Sequence, residues 1–265
     1  MAQDVLSFGK DLIGTEDLDP VYVVVNQANL GEKLKPWLLA YWCFYHMGTA
    51  SWIVDQPSYW AAMEKAAGSR SYYRGTERRH FRGENANKSV SWLKKQGLET
   101  LFAQFDHPEI RSLPLATVME IVQRWTGFGP WIAFKVADML ERLGLLEVRF
   151  VPEDVFHMFE APRKGAQAVW ENYGQVTDEY PDEGAEMWAY DYITGAIGRL
   201  KAPPTYDRVI NIQEVETILC KWKSHLNGHY EVGKDVREIR EGLDLYNKST
   251  TANKLIKAGK EGDLW

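Results

Sequence analysis

The segment Arg70–Gly83 has residue types and spacing suited to binding an anion. It holds five arginines and one histidine, with Glu77 as its single acidic residue, in a 265-residue chain of formal net charge −6. Arginine donors form a fixed fork that matches phosphate oxygens. The aromatic residues among them, Tyr72, Tyr73 and Phe81, suit stacking on bases beside a phosphate backbone. The sequence therefore favours an anion site over a solvated basic turn paired with nearby acids. We call this stretch the arginine segment.

The local sequence predicts how the arginine segment is held. Gly75 and Gly83 interrupt it and predict a loop, or a loop that enters a short helix. Upstream, the many large apolar residues of Leu34–Met47 predict a buried helix, so its polar members need an explanation. Those members are Tyr45 and His46, and Asp55 follows soon after. We expect these three side chains to line a base or substrate pocket, although a single histidine in such a place is more often a hydrogen-bonded core residue than a catalyst.

Composition limits the classes of protein that this chain can be. Hydrophobic content of 45% and charged content of 26% are ordinary for a globular protein. Cys43 and Cys220 are too few and too far apart for a disulfide framework, which favours a reducing compartment. The first residues lack the features of a secretory signal, and no apolar run is long enough to span a membrane. An acidic total argues against indiscriminate DNA coating but permits a local basic groove.

Apolar residues at steps of three and four predict helices along most of the chain. The expected class is mainly α. Residues 1–20 are polar and acidic and predict a loosely held N-terminal arm, whereas residues 21–265 predict one helical domain. Within it, Pro203-Pro204 marks a possible subdomain seam near residues 201–205. The run Val21–Val25 allows either a short strand or the opening of the first helix.

A tight helical hairpin is predicted around Gly127-Phe-Gly-Pro130. One helix covers Leu115–Trp125, the two glycines allow the turn, and Pro130 suits the first turn of the next helix. The free N–H groups at the start of that helix could clasp a nucleic-acid phosphate, so Gly127 and Gly129 are candidate DNA contacts. The pattern resembles the helix-hairpin-helix module of the DNA glycosylase superfamily, which implies a glycosylase-like helical bundle.

That resemblance also implies a catalytic carboxylate. In the glycosylases an aspartate follows the hairpin, and Asp154 stands in the matching place, with Glu153 as the alternative register. Bifunctional glycosylases carry a lysine two residues past the second glycine, where this chain has Trp131. Without that amine, strand cleavage through a Schiff base has no obvious nucleophile.

A second basic stretch follows the helix predicted over Asn211–Trp222. Its basic residues are Lys221, Lys223, His225 and His229, and we expect Lys221 and His225 to contact DNA. Two histidines four apart can bind a metal when a helix carries them, but Asn227-Gly228 predicts a turn instead. No metal site is expected.

Taken together, these motifs resemble one helical, glycosylase-related family of phage DNA base hypermodification. It is the alpha-glutamyl/putrescinyl thymine pyrophosphorylase group, also described as amino acid:DNA transferases. Five motifs carry the resemblance: Trp42-Cys-Phe-Tyr-His46 with Gly48-Thr-Ala-Ser51, Glu77-Arg-Arg-His-Phe-Arg-Gly83, Gly127-Phe-Gly-Pro-Trp131, Trp222-Lys-Ser-His225 and Asn227-Gly-His-Tyr230. They cover most of residues 35–240, and the string that begins at Glu77 is the most specific.

The resemblance implies an enzyme that transfers an amine to a DNA base. Its substrate would be double-stranded DNA carrying 5-hydroxymethyluracil, activated at the hydroxymethyl group by phosphate or pyrophosphate from an upstream DNA kinase. A free amino acid or polyamine would replace the phosphate and give a hypermodified thymine. No cofactor and no membrane are implied, and the expected setting is the cytoplasm of a phage-infected bacterium.

Several residues fit such chemistry. The guanidinium groups of Arg78, Arg79 and Arg82 could neutralise the leaving phosphate, with Arg74 as a further phosphate contact. His80 could protonate the departing oxygen. The incoming amine must lose a proton, for which Asp154 is the first candidate and Glu77 the second.

Three alternatives remain open from sequence. A nucleophile could add to the pyrimidine C6, and Cys43 is the only cysteine near the early motif, although a structural thiol is its simpler interpretation. The chain could also be a monofunctional DNA glycosylase that uses Asp154, which would not need a phosphate site. Finally, it could be a non-catalytic DNA-binding module, marked by steep salt dependence without base chemistry.

Overall fold

Helices carry nearly all the regular structure. The computed structural model describes residues 4–106, 112–174 and 184–265. In those residues the helices are α1 Val5–Gly14, α2 Pro20–Ala28, α3 Leu34–Phe44, α4 Met47–Val54, α5 Tyr59–Gly68, α6 Gly83–Gln96, α7 Leu98–Ala103, α8 Leu115–Gln123, α9 Pro130–Arg142, α10 Pro152–Met158, α11 Glu160–Val169, α12 Gly184–Ile197, α13 Ile212–Leu226, α14 Lys234–Asp244 and α15 Thr250–Glu261. Strand β1, Leu113–Pro114, pairs in parallel with β2, Val148–Arg149. The predicted mainly α class is confirmed. None of the described helices has the length and apolarity needed to cross a membrane.

The chain divides into two compact units, each built from two separate stretches. The small unit combines the residues up to Pro20 with Phe150–Val236, and the large unit combines Val21–Arg149 with Arg237–Trp265. The predicted division was different, with an arm at 1–20, one domain at 21–265 and a seam near 201–205. In the structure residues 201–205 lie inside the small unit.

The predicted N-terminal arm contains a packed helix. Val5, Phe8 and Leu12 of α1 are buried, and so is the Asp17 side chain. These apolar residues recur at steps of three and four, which places them on one face of the helix. The acidic residues that suggested a loose arm lie mostly after α1, and residues 1–3 are outside the described part of the chain.

The core of the large unit surrounds α3. Trp37, Trp42 and Phe44 are completely buried there, and the Trp37 indole donates to Ser51 Oγ at 3.0 Å. The helix ends at Phe44, earlier than predicted, because Tyr45 adopts a left-handed conformation with φ 49°. The run Val21–Val25 belongs to α2, so its interpretation as a strand was wrong.

The two helices predicted around the glycine turn are present as α8 and α9. Gly127 has φ +86°, a value that favours glycine. Gly129 is the N-cap of α9 and has no side chain to cap it. Ala133 and Ala137 are buried. The turn and the helix after it thus have the predicted positions, and their likeness to a helix-hairpin-helix module stays a prediction.

Candidate active site

The arginine segment is a loop between α5 and α6 of the large unit. It contains one 3-10 turn, Thr76–Arg78, and α6 begins at Gly83. The loop lies close to the end of α3, where the Gly75 amide donates to the Phe44 carbonyl at 3.0 Å. A Cβ atom at Gly75 would come within 2.4 Å of the Tyr45 carbonyl oxygen. Only glycine therefore fits at this approach.

Arg74 has a structural role in this loop. Its Nε donates to the Phe81 carbonyl at 2.5 Å. Its Nη1 donates to the carbonyls of Ser69 and Tyr72, and its Nη2 to those of Ala66 and Ala67. These five bonds use all five N–H groups of a guanidinium. Arg74, predicted to bind phosphate, therefore fixes the main chain of the loop and keeps no donor for a ligand in this structure.

Arg78 is only partly used by the protein. Its Nε donates to the Cys43 carbonyl at 3.0 Å and its Nη1 to the Gly127 carbonyl at 3.1 Å. The guanidinium also lies 4.4 Å from the centre of the Phe81 ring. Its Nη2 is buried and has no partner among the described residues. Burial lowers the pKa of Arg78, as expected for a cation held away from water, so a bound anion would be stabilising there.

The remaining charged residues of the segment point to solvent. Arg79, Arg82, His80 and Glu77 are exposed, and the one side-chain bond among them runs from Arg79 Nη1 to the Thr76 carbonyl at 3.1 Å. No arginine of the segment makes an ion pair with a carboxylate in the described part of the chain. Its positive charge is therefore not neutralised locally.

His46 stands beside the arginine segment. It is the N-cap of α4, and its Nδ1 accepts from the Thr49 amide at 3.1 Å. Its ring stacks on Tyr73 with centroids 5.6 Å apart and an interplanar angle of 23°. Burial lowers the pKa of His46 to about 4, so the imidazole is neutral at pH 7. Tyr45 faces a different neighbour, since its ring meets Trp131 edge-on at 4.9 Å.

Two side chains connect His46 to the C-terminal part of the large unit. The Thr49 hydroxyl donates to the Tyr73 carbonyl at 2.8 Å, which commits its only proton. The Tyr246 hydroxyl must then donate to Thr49 Oγ1, at 2.9 Å, and it accepts from the Tyr73 amide at 3.3 Å. Tyr246 thereby joins α4 to the arginine segment.

Asp55, predicted to line the pocket, anchors α15. One carboxylate oxygen accepts from the Ser249 hydroxyl at 2.6 Å and from the Thr251 amide at 2.9 Å. The other accepts from the Thr251 hydroxyl at 2.5 Å and from Lys33 Nζ at 2.7 Å. Burial alone would raise the pKa of Asp55, but these bonds hold it well below its ordinary value. The carboxylate is thus fully committed to the fold.

Gly127 and Gly129 belong to the large unit, and the remaining predicted site residues belong to the small unit. Asp154 and Glu153 are exposed in the first turn of α10. Lys221 makes an ion pair with Asp235 at 2.7 Å and donates to the Tyr230 hydroxyl at 2.8 Å. The ring of His225 stacks on Trp222 at 5.4 Å. In this structure Lys221 and His225 are therefore tied to neighbouring side chains.

Comparison with known proteins agrees with these motifs. The sequence model of a family described as amino acid:DNA transferase matches residues 13–230. The chain belongs to the amino acid:DNA transferase family. A glycinyltransferase of Pseudomonas phage PaMx11 is 38% identical over 286 positions, which cover 96% of this chain and 95% of the relative. A putrescinyltransferase of Delftia phage PhiW-14 is 26% identical over 254 positions, covering 92% and 79%. The resemblance expected from the motifs is confirmed, and the chain is a DNA-modifying transferase.

Sequence reasoning missed the contributions of Gly242, Tyr246, Ser249 and Thr251. They lie beyond residues 13–230, which match the family, in a stretch whose sequence predicts only charged amphipathic helix. Their contacts with His46, Thr49 and Asp55 connect residues almost 200 positions apart. Local sequence patterns do not indicate contacts between residues so far apart.

Proposed function

We propose that this transferase displaces phosphate or pyrophosphate from a 5-phosphomethyl-type uracil in DNA and attaches an amino acid in its place. In this reaction the bond between the exocyclic carbon and the phosphate oxygen breaks, and its electron pair leaves with the phosphate. The lone pair of the incoming amine forms the new C–N bond, and the amine gives up one proton. The product is a thymine that carries the donor on its methyl carbon.

The state of the arginine segment is the observation that carries this proposal. Among the described residues, Arg79 and Arg82 are exposed and have no carboxylate partner, and the buried Nη2 of Arg78 has no hydrogen-bond partner. Charge develops on the leaving phosphate as the C–O bond breaks, and cationic donors placed there lower the barrier. A glycosylase that simply releases a base needs no such group. The segment therefore fits phosphate departure better than glycosidic cleavage.

Proton transfer is assigned to carboxylates and to His80. His80 is exposed between Arg79 and Arg82, where it can protonate the departing oxygen. Glu77 lies in the same loop as these groups and is a candidate acceptor for the amine proton. Asp154, the first candidate from the glycosylase resemblance, is free in the small unit, and its role stays a prediction.

The route through a cysteine adduct at C6 has little support. Cys43 is completely buried, and burial raises the pKa of its thiol to about 12. The thiolate is the reactive form, so this side chain is a poor nucleophile at pH 7. Its carbonyl instead accepts from Arg78.

We propose glycine as the donor. A relative named a glycinyltransferase aligns with nearly the whole chain at 38% identity, while one named a putrescinyltransferase aligns at 26%. Glycine brings a carboxylate that putrescine lacks, and arginine forks suit planar carboxylates. The unpaired Nη2 of Arg78 is a candidate partner for that carboxylate or for the phosphate.

Mass spectrometry of nucleosides tests the reaction and the donor together. DNA that contains phosphorylated or pyrophosphorylated hydroxymethyluracil is incubated with the protein and a mixture of glycine, other amino acids and putrescine. We expect a new nucleoside whose mass is that of thymidine plus glycine with loss of two hydrogens. DNA with unphosphorylated hydroxymethyluracil is the matched control and should remain unchanged.

Each other product would point to a different function. Free base or abasic sites would make the protein a glycosylase, and addition of putrescine would overturn the choice of glycine. Binding that weakens steeply with salt, without any new nucleoside, would instead indicate a DNA-binding module.

A further inference from the structure

The hydrogen bonds of His46 define which ring nitrogen carries its proton. Nδ1 accepts from the Thr49 amide, so it cannot carry the hydrogen of a neutral imidazole. The hydrogen is therefore on Nε2. Nε2 makes no hydrogen bond to any residue that the structure describes. His46 thus presents one fixed N–H group that the protein itself does not use.

The groups around the His46 ring carry no charge at neutral pH. Thr49 comes from α4, Tyr73 from the arginine segment, and Gly242 and Tyr246 from α14 and the turn after it. Burial raises the pKa of Tyr246 further above neutrality. Arg74 follows Tyr73 in sequence and keeps its charge, but its guanidinium donates to main-chain carbonyls and not to the His46 ring. The surroundings suit an uncharged ligand.

An aromatic platform accompanies the free N–H group. The Tyr73 side chain is stacked with His46 and remains 52% exposed. A base that has left the duplex is bound in general by stacking on aromatic side chains and by hydrogen bonds to its polar edge. An exposed tyrosine ring beside a neutral donor meets both requirements for a pyrimidine.

Gly242 gives the imidazole its room. A Cβ atom at this position would lie 3.1 Å from His46 Nε2, with the next two neighbours in the same ring at 3.5 and 3.8 Å. Such a contact is tighter than a usual van der Waals contact, so a methyl group there would displace the ring by a few tenths of an ångström. Gly242 lies in α14, outside the family match at residues 13–230.

We infer that His46 donates a hydrogen bond from Nε2 to a carbonyl oxygen of the flipped pyrimidine, as a neutral donor positioned by Thr49 and Gly242. This inference rests on the proposed function and adds the side chain that reads the base. It separates two tasks within the large unit, since the arginine segment handles phosphate and His46 handles the uncharged ring. Because the ring stays neutral, His46 contributes binding and orientation rather than proton transfer.

Two variants test the inference in the transferase assay. His46→Asn keeps an N-cap acceptor for the Thr49 amide, since asparagine is a favoured cap, but removes the Nε2 donor. We expect kcat/KM for modified DNA to fall by about 100-fold, because the carbonyl oxygen of the bound base would lose its donor, with little change in KM for glycine. The ratio of wild-type to variant kcat/KM should stay constant from pH 5.5 to 8.

Gly242→Ala is the second variant and separates function from folding. Alanine has a higher helix propensity than glycine, so the midpoint of thermal unfolding should not fall. We expect kcat/KM to fall by about tenfold because the ring is displaced. Gly195→Ala is the matched control, since Gly195 is also helical and has nothing within 4 Å of its Cβ position. It should match wild type.

Failures of the two ideas are distinguishable. Absence of the new nucleoside with the wild-type protein refutes the proposed function. An active wild type with an equally active His46→Asn variant refutes the role of His46. If the ratio of wild-type to variant kcat/KM changes tenfold per pH unit near pH 6.5, His46 acts as an acid or base. If the His46→Asn substitution raises only the KM for glycine, the His46 N–H binds the carboxylate of the donor. Either result would overturn the inference.

Discussion

Two basic stretches of this chain look alike in sequence and differ in structure. In the arginine segment, Arg70–Gly83, the side chains of Arg74, Arg78 and Arg79 donate to main-chain carbonyls. The stretch Lys221–His229 contains Lys221, whose ammonium group is paired with Asp235 and bonded to the Tyr230 hydroxyl. A carbonyl accepts a bond without cancelling charge, whereas a carboxylate cancels it. The charge of the first stretch is therefore not cancelled by a described carboxylate, whereas the charge of Lys221 is paired within the protein.

The difference shows that the local supply of carboxylates decides whether the charge of a basic cluster is cancelled within the protein. Glu77 is the only acid in the arginine segment and is exposed. Around Lys221, by contrast, Asp17 is buried and accepts from the Tyr230 hydroxyl at 2.6 Å and from the Gly233 and Val236 amides at 2.6 and 3.0 Å. Counting cations along a sequence does not separate the two cases.

The largest effect is expected from replacing Arg79 and Arg82 together with alanine. Both are exposed, so the midpoint of thermal unfolding should change little. If these two guanidinium groups stabilise the leaving phosphate as proposed, their loss should lower kcat/KM by about 1,000-fold. The slope of log K for DNA against log salt should become shallower by about one per arginine that contacts a phosphate. Unchanged kinetics would remove the distinction between the two stretches.

Lys221→Met should have the second largest effect, on stability instead of activity. The Lys221 side chain is 11% exposed, and its loss leaves Asp235 without its cationic partner. We expect the free energy of unfolding to fall by about 2–3 kcal/mol, measured by urea denaturation. The salt slope of DNA binding should match wild type. A shallower slope would show that Lys221 also contacts phosphate.

Arg74→Lys tests whether Arg74 has a structural role that Arg79, in the same segment, does not have. Lysine keeps the charge but cannot reproduce five bonds to main-chain carbonyls. We expect a loss of about 1–2 kcal/mol in the free energy of unfolding, which resembles the effect at Lys221 more than that at Arg79. The salt slope should be unchanged. Equal stability of variant and wild type would contradict the structural role.

Lys223→Ala should have the smallest effect. Lys223 is close enough to influence the exposed Glu160, but it donates no hydrogen bond to a described residue. Stability should stay within about 0.5 kcal/mol of wild type, as for most surface changes. DNA binding at several salt concentrations is the direct check, and a clear loss of affinity would restore this stretch as a DNA contact.

Much of the fold could be predicted because helical periodicity is a local signal. The buried α3 and the α8–α9 pair follow from apolar spacing and from the glycines between them. The end of α3 could not be placed, because the left-handed conformation of Tyr45 depends on its surroundings and not on residue type. The packing of α1 was missed although half of its ten residues are apolar and Val5, Phe8 and Leu12 share its buried face, because the acidic residues that follow it made the whole stretch look polar.

The unusual residues of the site were predictable from sequence, but the role of each residue was not. The arginine segment, His46 and Asp55 were all identifiable as unusual polar residues. That Arg74 and Asp55 would be fully engaged by the fold depends on main-chain carbonyls, Ser249 and Thr251, which local sequence does not reveal. The roles of Gly242 and Tyr246 depend on contacts with residues that lie nearly 200 positions earlier in the chain.

These contacts between distant parts of the chain have a consequence for biosynthesis. The bonds from Tyr246 to Thr49 and from Thr251 to Asp55 span 197 and 196 residues. Every residue of the small unit precedes Arg237 in the chain, so a ribosome finishes the small unit before it supplies the last part of the large unit. Domains generally fold as units during synthesis. A chain that stops soon after residue 230 contains the whole family match, yet the His46 site becomes complete only after Gly242 and Tyr246 have been synthesised.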